Sequence, residues 1–292
     1  MNHEIKKPTL LLKPNGQLRE PGYATHMNFA YNRLCAKLGP MPLKEWNFYQ
    51  FQCDDYVLQM TLGHLSYIGQ MAVTLMNIRT GKRILALKGH SKEYDRIEVK
   101  LVVENDPSNE KMVIATPFDK PSQFYLNYKE NYYKAKGYAR FGDKYVVFKN
   151  ATGLLDWGRG VWPYTHEWYW GNLTSHIDGI PFGFNIGWGF GDTSHATENM
   201  YFYNKKAYKV GRLTGKWDDN DLMAVKHFHS EDGKLQFTFT PFWDNYTFNE
   251  FIVVDTHCHQ VFGYFSGTIE TEDGVKEFKD VVAFIEHAVN RW

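Results

Sequence analysis

Apolar and polar residues alternate with period 2 along much of the chain, the pattern of half-buried β-strands. From Trp46 the runs WNFYQFQC, YVLQMTLGHL, IGQMAVTLMNI and RILALKG succeed one another, broken at Asp54-Asp55 and at Arg79-Thr80-Gly81-Lys82. Further strand-like runs cover 96–104, 111–116, 123–129, 132–140 and 144–149. Alternation resumes in HFHSEDGKLQFTFTPFWDNYTFNEF and FIVVDTHCHQVFGYFSGTIE, with hairpin turns at 231–233 and 272–274. The last run, VVAFIEHAVNRW, is rich in β-branched and aromatic residues, which favour a strand over a helix. Only 28–37 reads as helical, inside a lead-in with turn residues at 14–16, 21–22 and 39–42. No βαβ alternation occurs, so a parallel sheet is excluded. The expected fold is all-β, two tandem antiparallel barrels over 1–150 and 151–292, because closure removes the edges so many strands would expose.

The stretch from Gly153 to Leu213 carries the unusual chemistry. At period 2, Trp162, Tyr164, His166, Trp168 and Trp170 share one face. Phe182, Phe184, Ile186, Trp188 and Phe190 share another, opposite Gly183, Asn185, Gly187, Gly189 and Gly191. Glycine on one face of a strand admits a ligand or a second layer at close range. Asp156, Arg159, Asp192 and Glu198 lie around these aromatic walls, and burying them requires partners or a task. Two readings fit: an aromatic pocket holding acids, and an aromatic β core with paired acids at strand ends.

Composition narrows the classes. With 33 basic against 33 acidic side chains the net charge is zero, which gives no electrostatic case for nucleic acid or an anionic membrane. No segment is long and apolar enough to span a bilayer, and the run Leu10–Leu12 is too short for a signal sequence. Three cysteines without a CxxC spacing fit a reducing compartment, and the cytoplasm is the expected location. Phosphate-loop, dinucleotide and nucleophile-elbow motifs are absent, so no cofactor is expected. His227-Phe228-His229 and His257-Cys258-His259 would bind a divalent metal only if their strands paired with these faces together; no metal site is assigned to them.

The carboxylates offer more. Asp156 precedes Trp157-Gly158-Arg159-Gly160, an adaptable backbone able to aim an acid, with Arg159 available to keep it ionised. Glu198 follows the glycine-rich strand and Glu286 lies in the terminal run. An acid enclosed by aromatic rings is held protonated towards neutrality, while a solvated one stays a base. Aromatic faces also stabilise a developing carbocation. Such a set suits hydration, cyclisation or isomerisation, and equally glycoside cleavage by paired carboxylates.

At these residues the chain resembles a bacterial family known as a domain of unknown function, which is itself similar to hydroxyneurosporene synthase (carotenoid 1,2-hydratase), tocopherol cyclase and the lipocalin-like pericyclases. The resemblance rests on DWGRGVWPY and WYWG within 156–171, GFNIGWGF and TEN within 183–199, HQVFGYFSG at 259–267 and FIEHAVNRW at 284–292. It implies two lipocalin-like barrels, a ligand cleft, and acid-initiated chemistry on a hydrophobic molecule. Asp156 would be the acid, Glu198 or Glu286 the base or water-orienting group, and Trp162, Trp168, Trp170 and Trp188 the cation-stabilising walls. Tyr164, His166, Arg159, Asn185 and Asn199 would line the substrate. The partner is thus a small molecule; a homo-oligomer is compatible with the sequence. Two alternatives stand beside this: a glycan-active hydrolase or lyase, and a non-catalytic lipocalin-type carrier.

Overall fold

A computed structural model describes residues 2–36, 43–66, 69–87, 97–251 and 254–292. Three short strands come first: Thr9–Leu10 (β1), Gly22–Ala24 (β2) and Phe29–Ala30 (β3). The segment expected to be helical holds β3 and one 3-10 turn at Arg33–Cys35, capped by the Asn32 side chain accepting from the Leu34 amide. Leu34 is 85% exposed, so the segment lacks the continuous apolar stripe that holds a helix to a core. Residue 37 and the expected turn at 39–42 lie outside the described residues.

The first large sheet is built from Leu43–Cys53 (β4), Tyr56–His64 (β5), Gly69–Asn77 (β6), Lys82–Leu87 (β7), Ile97–Glu104 (β8), Met112–Pro117 (β9), Phe124–Phe141 (β10) and Lys144–Val161 (β11), together with β2. Its order is β2-β9-β10-β11-β4-β5-β6-β7, with β8 paired to the far half of β10, and every pairing is antiparallel. The runs expected as two strands over 123–129 and 132–140 form one, β10, interrupted by a register shift between Asn131 and Tyr133. Tyr132, at φ 71°, is the extra residue of that bulge, and its hydroxyl reaches across to the Phe202 carbonyl at 3.1 Å. Phe51, Leu58, Leu75, Phe141 and Phe148 share one core with Val99 and Leu101, so strands distant in the sheet order meet and the sheet curls.

The second sheet comprises Thr165–Ile177 (β12), Ile180–Trp188 (β13), Met200–Tyr203 (β14), Lys206–Lys209 (β15), Leu213–Gly215 (β16), Lys226–Ser230 (β17), Leu235–Phe251 (β18), Val254–Thr271 (β19) and Gly274–Arg291 (β20). Its order is β15-β14-β13-β12-β20-β19-β18-β17-β16. Here too the sheet curls: Phe184 of β13 stacks on Phe237 of β18 at 5.3 Å, and Trp188 meets Phe228 of β17 at 5.8 Å. The terminal run is a strand, and no α-helix occurs among the described residues. The fold is therefore all-β, with two large curled antiparallel sheets. β11 passes through position 150, and the chain changes sheets between Val161 and Thr165, where Pro163 has no amide to continue a ladder.

The two sheets pack face to face. Val57, Met76 and Leu154 of the first join Trp170, Phe262 and Phe284 of the second in a common cluster. Phe48 meets Trp170 edge to face at 5.9 Å. Inside the second sheet, Phe184 is fully buried and also touches Phe265. Phe184→Ala is expected to remove about 3–5 kcal/mol of stability in chemical denaturation; a loss below about 1 kcal/mol would show that β13 does not close over this core.

Candidate active site

Strand alternation aims a set of polar side chains into the layer between the sheets. From the first sheet come Asn127, Lys129 and Asn131 at period 2 on β10, and Asp156 on β11, directly opposite Lys129 in register. From the second come Trp168 and Trp170 on β12, Asn185 on β13, Gln260 on β19 and Glu286 on β20, with Trp170, Glu286 and Gln260 in one cross-strand row. Glu198 arrives from the segment after β13 and fits because Gly187 has no side chain: a Cβ there would lie 2.3 Å from Glu198 Oε1.

The contacts join these groups into a network. Lys129 Nζ donates to Glu198 Oε2 at 2.7 Å and lies 4.2 Å from the Trp170 ring centroid. Asn185 Nδ2 donates to the same Glu198 oxygen at 3.0 Å, and Asn185 Oδ1 accepts from Trp170 Nε1 at 2.7 Å. Asp156 accepts from Asn127 Nδ2 at 2.6 Å and from Trp46 Nε1 at 3.3 Å. Glu286 accepts from Trp168 Nε1 at 2.8 Å. Gln59 donates to Gln50 at 2.8 Å and to Gln260 at 2.7 Å, extending the network across the sheets.

Burial raises the Asp156 carboxyl above the ordinary carboxylate range, opposed by the Lys129 charge and by the bonds from Asn127 and Trp46. Glu286 is raised for the same first reason; Trp168 opposes the rise and the charge of Asp156 adds to it. The Cys258 thiol, beside Glu286, is pushed well up by burial. Two carboxyls that resist ionisation thus share a layer with a third that is ion-paired, the division a general acid and base require.

All three candidate acids meet in this layer, as do Trp168, Trp170 and Asn185. Arg159 does not: it lies three positions after Asp156, an odd step along the strand, so it occupies the opposite face of β11. There it stacks on Trp157 at 4.1 Å and donates to the Trp46 carbonyl at 2.6 Å. The cation beside the acids is Lys129, and its signal in the sequence is the polar alternation Asn127-x-Lys129-x-Asn131. Trp188 lies in the core of the second sheet, stacked on Tyr169 at 4.9 Å. Asn199 is buried behind Glu198, accepting from the Gly187 amide at 2.8 Å. Trp162 precedes β12 and packs with Tyr125 and Phe190 at the edge of the layer; Tyr164 is 52% exposed. His166 stacks on Trp168 at 5.7 Å and its Nδ1 donates to the Pro163 carbonyl at 2.9 Å; burial lowers its pKa to about 4, so it is neutral.

His227 and His229 do not join His257 and His259. β18 runs between β17 and β19, and the buried Phe228 shows that the first pair points away from the core.

An open groove of about 760 Å³ lies between the sheets, with Asp54, Lys149, Asp178, Glu277 and Lys279 among its lining. It shares Gln52, Thr152, Thr174 and Val282 with a small cavity reaching Gln50 and Asn172. The acids lie further along the same strand faces: Thr152, Leu154, Asp156 on β11, and Val282, Phe284, Glu286 on β20.

Fold and site together define an all-β protein of two curled sheets enclosing an acid-bearing aromatic layer. The chain belongs to the family described as domain of unknown function (DUF2804), whose model matches residues 2–86 and 80–292. No curated protein sequence matches it. Among solved structures, kievitone hydratase from Nectria haematococca aligns at 10% identity and TM-score 0.49, covering 96% of this chain and 98% of that one. A putative AttH from Nitrosomonas europaea aligns at 11% identity and TM-score 0.48, covering 85% and 92%. CghA with Sch210972 aligns at 10% identity and TM-score 0.46, covering 87% and 89%. No helix among the described residues is long and apolar enough to cross a membrane.

The raised carboxyls give a pH signature. A carboxyl whose folded pKa exceeds its unfolded value near 3.9 binds more protons when folded, so stability falls as pH rises through that interval. Asp156→Asn keeps the side chain's shape without the charge, and is expected to be at least as stable as wild type at pH 7. Denaturation from pH 3 to 8 should show this difference shrinking as pH falls towards the unfolded value; an Asp156→Asn protein less stable at pH 7 than at pH 3, relative to wild type, would contradict a raised carboxyl.

Proposed function

We propose that the protein is a cofactor-independent acid/base enzyme of hydratase, cyclase or isomerase type, acting on an apolar or amphiphilic small molecule between its two sheets. The observation that carries this reading is the meeting of Asp156, Glu198 and Glu286 around Lys129, with two of the carboxyls raised by burial. Asp156 is the proton donor. Glu198, ion-paired with Lys129, accepts a proton, and Glu286, held by Trp168 and near Gln260, orients water. Lys129 holds Glu198 in place, and Trp168 and Trp170 flank the developing positive charge. Substrate enters by the groove whose inner end reaches Gln50 and Asn172.

The polar, charged lining of that groove favours a second reading, a hydrolase or lyase acting on a carbohydrate through the same acids. Incubation of purified protein with a cell extract in ¹⁸O-labelled water, followed by mass spectrometry, separates the two. A labelled product that retains every carbon of its substrate marks hydration, an unlabelled isomer marks cyclisation or isomerisation, and a labelled sugar fragment marks hydrolysis. Asp156→Asn should lower turnover by about 10²–10⁴-fold while leaving the fold intact; undiminished turnover removes Asp156 from the mechanism.

A further inference from the structure

β20 presents Glu286 to the layer between the sheets and the next residue, His287, to the opposite, concave face of the second sheet. On that face Trp188, Tyr169, His287, His259 and Tyr246 form a row across five strands, each the direct cross-strand partner of the next. The rings hold one another: Tyr169 stacks on His287 at 4.0 Å and 8°, and Tyr246 on His259 at 4.4 Å and 22°.

Both imidazoles are also gripped at Nδ1. Asp219 Oδ1 is 2.8 Å from His287 Nδ1, and Asp244 Oδ2 is 2.7 Å from His259 Nδ1. Asp219 is fixed in turn by Trp217 Nε1 at 2.9 Å. A neutral imidazole that donates from Nδ1 carries a bare lone pair on Nε2. His287 Nε2 is enclosed, its side chain 9% exposed, and has no hydrogen-bond partner among the described residues. Glu167 Oε2 stands 3.6 Å from it. A lone pair and a carboxylate oxygen repel at that distance, and either a proton or a metal ion between them removes the repulsion. The separation is close to the edge of about 3.4 Å that a tetrahedral ion makes with nitrogen and oxygen ligands at about 2.0–2.2 Å.

We infer that His287 and Glu167, with His259 opposite as third ligand, form a site for a divalent transition ion of the zinc class. Imidazole and carboxylate donors suit such an ion, and carboxylates behind both rings are the partners that orient metal-binding histidines. Three such ligand atoms already lie within 4.8 Å of one another at Glu250, Asp255 and His257 on the rim. That group is largely open to solvent, Glu250 being 64% and His257 34% exposed, whereas His287 Nε2 is enclosed and without a hydrogen-bond partner. Binding at the inferred site draws His259 inward.

Chelator-treated protein titrated with Co²⁺, followed by visible d–d absorption and by Zn²⁺ competition, tests the site without any assay of activity. The expected result is one saturable equivalent, abolished by His287→Gln, weakened at least tenfold by Glu167→Gln and about 10–100-fold by Asp219→Asn, and unchanged by Asp255→Asn. Glu167 is 55% exposed, so Glu167→Gln remains informative even if His287→Gln fails to fold. Absence of saturable binding, wild-type affinity in Glu167→Gln, or loss of binding in Asp255→Asn would each overturn the assignment.

Discussion

The ion pair between Lys129 and Glu198 joins the two sheets at the place where the chemistry gathers. Lys129 belongs to β10 of the first sheet, and Glu198 to the segment that leaves β13 of the second, so the pair exists only when both halves are folded and docked. Its surroundings follow from it. The bare backbone of Gly187 leaves room for the carboxylate, and Asn185 bridges it to the Trp170 indole. Breaking one partner of a buried pair leaves an uncompensated charge and costs several kcal/mol, more than the intact pair contributes. The pair therefore specifies how the sheets dock more than it stabilises them.

Around this pair the molecule accepts an unfavourable arrangement. Asp156 and Glu286 lie in a layer where Val57, Met76, Phe262 and Phe284 would pack well without them. Desolvation is the first cause of both raised carboxyls; the charge of Glu198 also opposes ionisation of Asp156, and that of Asp156 opposes ionisation of Glu286. A purely structural interface has no need of acids held in this state. Proton transfer near neutral pH does, which is the physical reason for reading the layer as a reaction site.

Much of the fold was legible in the alternation. The hairpins, the terminal strand and the antiparallel order follow from period 2 and from turn residues, because those signals are local. Asp156, Glu198 and Glu286 were legible as candidates through their aromatic neighbours. Their convergence was not, since it depends on which strands face across the layer. The same period that exposes the aromatic walls also puts Arg159 on the face opposite Asp156, so the cation beside the acids is Lys129. Trp188 shares its face with Phe182 and Phe184, and that face turned out to be the core of the second sheet, whereas the glycine face meets Glu198. Lys129 sat in an ordinary strand run, and only its pairing across the two sheets gives it meaning.

The helix expected over 28–37 failed for a different reason, since local propensity there has no apolar stripe to secure it. The boundary expected near 150 from the strand count falls inside β11, which is continuous through it and carries Asp156 into the first sheet. This continuity has a chemical consequence. The acids come from both sheets, Asp156 and its Asn127 and Trp46 donors from one, Glu198 and Glu286 from the other. A site divided in this way forms only at the docked interface, so any motion that parts the sheets to admit a ligand also separates the acids, and closure over the ligand restores both their contacts and their raised proton affinities.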